Sequence, residues 1–126
     1  MKINPKLLAA LESRGLSEPT LAQSSTWPEI NSRKNVLLIA PTGVGKTEAA
    51  MVPLFHRLLE QKSNPISILY ITPLRSLNRD MLRRLSDIGE ELDISVAVRH
   101  GDTSPYERTR QSKHPPQILI TTPETL

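Results

Sequence analysis

The sequence predicts an α/β fold built on a parallel sheet, and three observations carry that prediction. Four short runs rich in β-branched residues, 36–39, 66–71, 94–98 and 118–120, begin about 24 to 30 residues apart, the length of one strand–helix–strand unit. The intervals between them repeat apolar residues at three- and four-residue spacing, the period of a helix. The runs themselves are almost continuously apolar instead of alternating, as in strands covered on both faces.

Taken in order, the chain opens with a helical lead-in. Asn4-Pro5 is a cap followed by a first-turn proline, Leu7, Leu8 and Leu11 form an apolar stripe, and Gly15 ends the segment. A second short helix is expected from Thr20 and is expected to break at Trp27-Pro28. The polar turn 32–35 then leads into the first strand, 36–39. A helix follows over 47–61, with Met51, Leu54, Phe55 and Leu58 on one face. Pro53 falls inside it, where the missing N–H and the ring clash are expected to kink the helix at about 3 kcal/mol if uncompensated. After the second strand, Leu77, Met81, Leu82 and Leu85 mark a further helix before Gly89. The stretches 63–65 and 114–116 read as ordinary connections. The expected division is a lead-in over 1–33 and the sheet domain over 34–126.

Composition narrows the function. The 126 residues fit one domain, and 37% hydrophobic with 23% charged residues suits a soluble globular chain. No apolar run approaches the roughly 20 residues that a bilayer-spanning helix needs. No cysteine is present, so disulfides, thiol catalysis and cysteine-ligated zinc are excluded, and a cytoplasmic location is the expectation. His56, His100 and His114 lack metal-ligand spacing. A net charge of +3 permits contact with nucleic acid without demanding it. Trp27, Phe55, Tyr70 and Tyr106 are the only aromatics, too few for a base-stacking platform. Any nucleic acid would therefore be held through backbone phosphates.

The strongest chemical signal is Ala40-Pro41-Thr42-Gly43-Val44-Gly45-Lys46-Thr47, expected between a strand and a helix. Loop N–H groups and the positive helix N-terminus make an anion site there. Gly43 and Gly45 allow close approach of backbone to phosphate. Lys46 supplies a point charge for β- and γ-phosphates, and the Thr47 hydroxyl a ligand for Mg2+. Ala40 stands where the general pattern has glycine. Three strand ends share a second pattern: Pro41-Thr42 after Ala40, Thr72-Pro73 and Thr121-Thr122-Pro123. Proline and threonine are good helix-start residues, and the same sites offer donors at the carboxyl edge, where open α/β sheets bind ligands. Both readings stand on these residues alone. Arg75, Arg79 and Arg83 fall four apart, which places them on one helix face if the helix includes all three. Asp80, Asp87 and Glu90 nearby equally fit a solvated face.

In this order and spacing, APTGVGKTEAA, LYITPLRSLNRDM, HGDTSPYER and ILITTPETL resemble superfamily 2 helicases, most closely the DExH-type Ski-like and large-helicase-related (Lhr-like) branch. The segments look like motif I at 40–47, motif Ia at 72–77, the glycine motif near Gly101-Asp102 and motif Ib at 121–124. Upstream, 15–23 is similar to the adenine-reading Q-type motif. The resemblance implies a RecA-like ATP-binding domain that uses ATP and Mg2+. It implies Gln23 at the adenine, Pro41, Thr42, Gly43, Val44, Gly45, Lys46 and Thr47 around the phosphates, and Thr47 on the metal. It also implies single-stranded DNA or RNA against Thr72, Pro73, Arg75, Gly101, Asp102, Thr121 and Thr122.

One part of the family's pattern is missing. Hydrolysis there also needs an acidic box whose aspartate holds Mg2+ and whose glutamate activates water. The aspartates here are Asp80, Asp87, Asp93 and Asp102, and none precedes a glutamate. The chain therefore reads as the first part of a longer helicase, with further helicase domains as its partners. It is expected to bind nucleotide weakly and hydrolyse it negligibly alone. An uncovered sheet edge is also expected to favour self-association. Two alternatives are another phosphate-loop enzyme, such as a small-molecule kinase, and a non-catalytic nucleotide-binding module.

Overall fold

A computed structural model describes residues 2–16, 18–41, 45–61 and 64–126. The chain divides into two compact units, Met1–Lys62 and Ser63–Leu126.

The first unit is helical. Helix α1 (Pro5–Glu12) starts at Asn4, whose side chain accepts the Lys6 N–H at 2.9 Å, and buries Leu7, Ala10 and Leu11. Helix α2 (Leu21–Asn31) opens with a reciprocal capping box between Thr20 and Gln23. It does not break at Trp27-Pro28 as the sequence implied. Proline removes a single helical bond there, and the turn beyond is held by the Ser32 N–H on the Pro28 carbonyl (3.0 Å) and by Arg57 Nη2 on the Ile30 carbonyl (2.6 Å). Helix α3 (Lys46–Glu60) packs on α2 and buries Ala49, Met51, Pro53 and Phe55. Pro53 thus serves as core surface, which offsets its lost hydrogen bond. Trp27 lies edge-on to His56 at 4.9 Å between ring centroids, while His56 Nδ1 accepts the Asn4 N–H at 3.1 Å and so ties α1 to α3.

The run 36–39 forms no strand, which corrects the expectation above. Leu37 and Ile39 are 84% and 86% exposed, and none of the described residues pairs with the segment. A β-branched run becomes a strand only when a neighbour takes its N–H and C=O groups.

The second unit carries the sheet. Strands β1 (Ile68–Ile71), β2 (Val96–Arg99) and β3 (Ile118–Thr121) are all parallel, in the order β1-β3-β2. Central β3 is the core strand, with Ile118 and Ile120 fully buried. Helix α4 (Arg79–Glu91) begins at Asn78, whose side chain accepts the Met81 N–H at 2.8 Å. It buries Met81, Leu85, Ile88 and Gly89 and packs on β2. Gly89 lies inside this helix, and not beyond its end as the spacing suggested. A Cβ on it would stand 2.7 Å from both the Ile94 carbonyl oxygen and Val96 Cγ2. Leu74–Ser76 is a separate 3-10 turn, so Arg75 lies off α4 and only Arg79 and Arg83 share its face. Helix α5 (Pro105–Lys113) is capped by Ser104, and its Gln111 donates to the Val98 carbonyl of edge strand β2 at 2.8 Å. Among the described residues no helix is long and apolar enough to cross a membrane.

Candidate functional site

The residues singled out by the motifs gather in two places, one in each unit. In the first, Gly45 is the N-cap of α3 and adopts φ +74°, ψ 42°, a left-handed conformation that favours glycine. Its lack of a side chain leaves the helix without a side-chain cap, so first-turn N–H groups remain available to an anion. Lys46 is exposed and has no partner among the described residues, and Thr47 beside it is half-buried. Pro41 is exposed. Thr42, Gly43 and Val44, expected to complete the loop, lie outside the described residues.

Gln23 reaches this loop. Its Oε1 accepts the Thr20 N–H at 3.0 Å, and its Nε2 donates to the Gly45 carbonyl at 3.3 Å. That leaves one N–H and one lone pair of the amide for a ligand. A gap of about 30 Å3 lies among Leu11, Trp27, Val52 and Gln23 in this unit.

In the second unit, register builds a continuous edge. Ile71, Thr121 and Arg99 are level across the three strands, so the next residues, Thr72, Thr122 and His100, emerge together at the carboxyl end. Thr72 N–H donates to the Thr121 carbonyl at 3.0 Å, and the Thr121 hydroxyl donates to the Arg99 carbonyl at 2.7 Å. The Thr122 hydroxyl bonds that of Thr125 at 2.9 Å. Thr121 and Thr122 are each 2% exposed. Their hydroxyls shape the edge from within, whereas Pro73, Arg75, Gly101 and Asp102 are exposed on it. The expectation that each Thr-Pro site starts a helix fails at Thr72-Pro73, which leads into the 3-10 turn with no side-chain cap, and at Thr122-Pro123, which leads into a turn.

The turn after β2 is closely braced. His100 N–H donates to Thr103 Oγ1 (2.9 Å), Thr103 N–H to the His100 carbonyl (3.1 Å) and Asp102 N–H to His100 Nδ1 (3.1 Å). Arg108, one turn into α5, donates to the His100 carbonyl at 2.7 Å and the Thr103 carbonyl at 3.1 Å.

A glutamine-bearing helix bonded to an uncapped helix start, and a parallel edge presenting three loops, are what the motif series requires. The DEAD/DEAH box helicase family model matches residues 20–126. The chain belongs to that family.

Its similarity to individual helicases is substantial. It is 44% identical over 115 residues to the ATP-dependent helicase Lhr-Core of Methanocaldococcus jannaschii, covering 78% of this chain and 14% of that one. It is 37% identical to the Lhr helicase/uracil glycosylase of Escherichia coli, over 90% of this chain and 9% of that one. The structure of the Mycobacterium smegmatis helicase Lhr bound to ssDNA and AMP-PNP superposes with a TM-score of 0.78 at 34% identity, covering 97% of this chain and 17% of that chain. The fold is that of a RecA-like helicase domain. The chain spans about one-seventh of the length of the curated Lhr-Core relatives it matches.

Within this DEAD/DEAH box segment, two contributors escaped the sequence reading. Arg108 lies inside HGDTSPYER, but its place depends on α5 turning it back over the loop. Gln111 is 7% exposed and covers the β2 edge. A glutamine on a short polar helix carries no signal of that task in sequence.

Proposed function

We propose that this chain is the N-terminal ATP-binding segment of an ATP-dependent nucleic-acid helicase or translocase. We assign residues 1–33 to a lead-in carrying the adenine-contacting Gln23, and 34–126 to the first part of the ATP-binding domain. The observation that carries the reading is the junction at Gly45: a left-handed cap, a helix start with no side chain over it, Lys46-Thr47 directly after, and the Gln23 amide on the Gly45 carbonyl.

In this reading the remaining donor and acceptor of Gln23 meet an adenine edge. The amides of 41–47 cradle the phosphates, and the Lys46 ammonium neutralises charge on the β- and γ-phosphates. Thr47 is the single metal ligand these residues offer. Among the described residues no acidic or histidine cluster holds a cation. The Thr47 hydroxyl would hold Mg2+, with phosphates and waters in its shell; when bound, the ion would supply charge neutralisation at the phosphates. The carboxylates that activate water are not in these 126 residues, so hydrolysis is assigned to a longer parent protein. At the sheet edge, Thr72, Pro73, Arg75, Gly101, Asp102, Thr121 and Thr122 track a single-stranded DNA or RNA backbone. Arg75 and the exposed loop amides make the phosphate contacts, while Thr121 and Thr122 hold the edge in shape.

The test is nucleotide titration with a fluorescent ATP analogue, paired with ATPase rates of the parent protein with and without oligo-dT or oligo-rU. Lys46→Ala is expected to weaken nucleotide binding at least tenfold without altering the fold, because Lys46 is exposed and unpaired among the described residues. Unchanged binding in Lys46→Ala, or no stimulation by either oligonucleotide, overturns the reading.

A further inference from the structure

Helix α4 carries its charges in the order the helix dipole disfavours. Its N-terminal half holds Arg79, Arg83 and Arg84 against the single acid Asp80, and its C-terminal half holds Asp87, Glu90 and Glu91. Acids stabilise helix starts and bases stabilise helix ends, so apart from Asp80 in the first turn these charges oppose the dipole. Arg79 and Arg83 are exposed one turn apart, about 6 Å along the axis. Neither has a hydrogen bond or ion pair among the described residues. They follow directly on the 3-10 turn that presents Arg75, also exposed and unpaired among them. An open groove lined by Asn78, Asp80, Arg83 and Arg84 lies alongside. A local rule broken on a solvent face, with two exposed guanidinium groups one turn apart on α4, is the mark of a surface kept for a ligand.

We infer that the Arg79–Arg83 face of α4 is a second phosphate-binding stretch, which carries a nucleic-acid backbone from Arg75 out along the helix. This rests on the proposed nucleic-acid edge and extends it by two contacts. Arginine suits the task because its fork meets phosphate oxygens in pairs, while Asp87, one turn past Arg83, ends the stretch by repelling the next phosphate. The shared ligand is the phosphodiester backbone, and the test distinguishes a single strand from a duplex.

Binding of oligo-dT, oligo-rU and a matched DNA duplex to the parent protein is measured across a salt series. Each phosphate contact contributes about 0.7 to the slope of log K against log salt for a single strand and about 0.9 for a duplex. Arg79→Gln/Arg83→Gln is therefore expected to shallow the slope by about 1.4 if a single strand lies on α4, or about 1.8 on the duplex alone if a duplex arm does. Arg79→Lys/Arg83→Lys is expected to restore it. Arg110→Gln, exposed on α5, is the control for a surface charge lost away from α4 and is expected to leave the slope unchanged. A measurable wild-type slope that is the same in the double glutamine variant, or that drops equally in Arg110→Gln, overturns the inference and leaves the edge reading intact. No binding by the wild-type protein overturns both.

Discussion

Gly45→Ala tests the geometry on which the nucleotide reading rests. An L-residue in the left-handed region costs about 1–2 kcal/mol, and Gly45 sits there at φ +74°. The added Cβ would also collide with the side-chain amide nitrogen of Gln23 and lie 3.4 Å from its Cδ. The glutamine must swing away, and its bond to the Gly45 carbonyl, about 0.5–1.5 kcal/mol net, goes with it. The expected loss is about 2–3 kcal/mol in the first unit. Trp27, the only tryptophan and 7% exposed beside His56, reports that unit's unfolding by fluorescence in a denaturant series. A double-mutant cycle isolates the contact: Gln23→Ala alone is expected to lose the bond to Gly45 together with the capping bond to Thr20, and to lose only the capping share in the Gly45→Ala background. Gly45→Asn, which tolerates the left-handed region better, is expected to cost less than alanine. An alanine variant within about 0.5 kcal/mol of the parent, a difference usual for an inert surface change, refutes the reasoning. So do Gln23 and Gly45 effects that simply add.

Two further outcomes follow from the second unit. Gly89→Ala is expected to destabilise it by about 1–3 kcal/mol through overpacking, since the new methyl meets backbone and a β-branched side chain at 2.7 Å; thermal melting by circular dichroism measures this, and an unchanged midpoint would show that α4 does not approach β2 so closely. Arg108→Ala removes two donors from the 100–103 turn. Amide exchange of Thr103 is then expected to accelerate at least tenfold, with exchange in β3 unchanged, because only the local brace is lost.

The sequence by itself determined several features governed by short-range chemistry. Asn4-Pro5 and Thr20 start helices as their sequence implied, because a side-chain oxygen takes an orphan N–H within three residues; Asn78 and Ser104 cap helices by the same local chemistry, although the sequence reading had not singled them out. The runs 66–71, 94–98 and 118–120 supply strands β1, β2 and β3, because β-branched residues suit a buried pleated surface. The order of motifs likewise sufficed to place the chain among helicases, and its phosphate-loop residues are adjacent in sequence. Tertiary structure alone decided what depends on a distant partner. The run 36–39 has strand composition but forms no ladder, because pairing is supplied by another segment. Pro28 and Pro53 read as breakers, yet α2 and α3 pass through them, since packing and bonds from elsewhere outweigh one missing N–H. The threonines at the sheet edge looked like free donors; parallel register turned the Thr121 hydroxyl onto the Arg99 carbonyl, 22 residues away. The Gln23 bond to Gly45 also spans 22 residues. Contacts of this reach are written in no local pattern, because they exist only once the chain has brought remote polar groups together and excluded the water that would otherwise satisfy them.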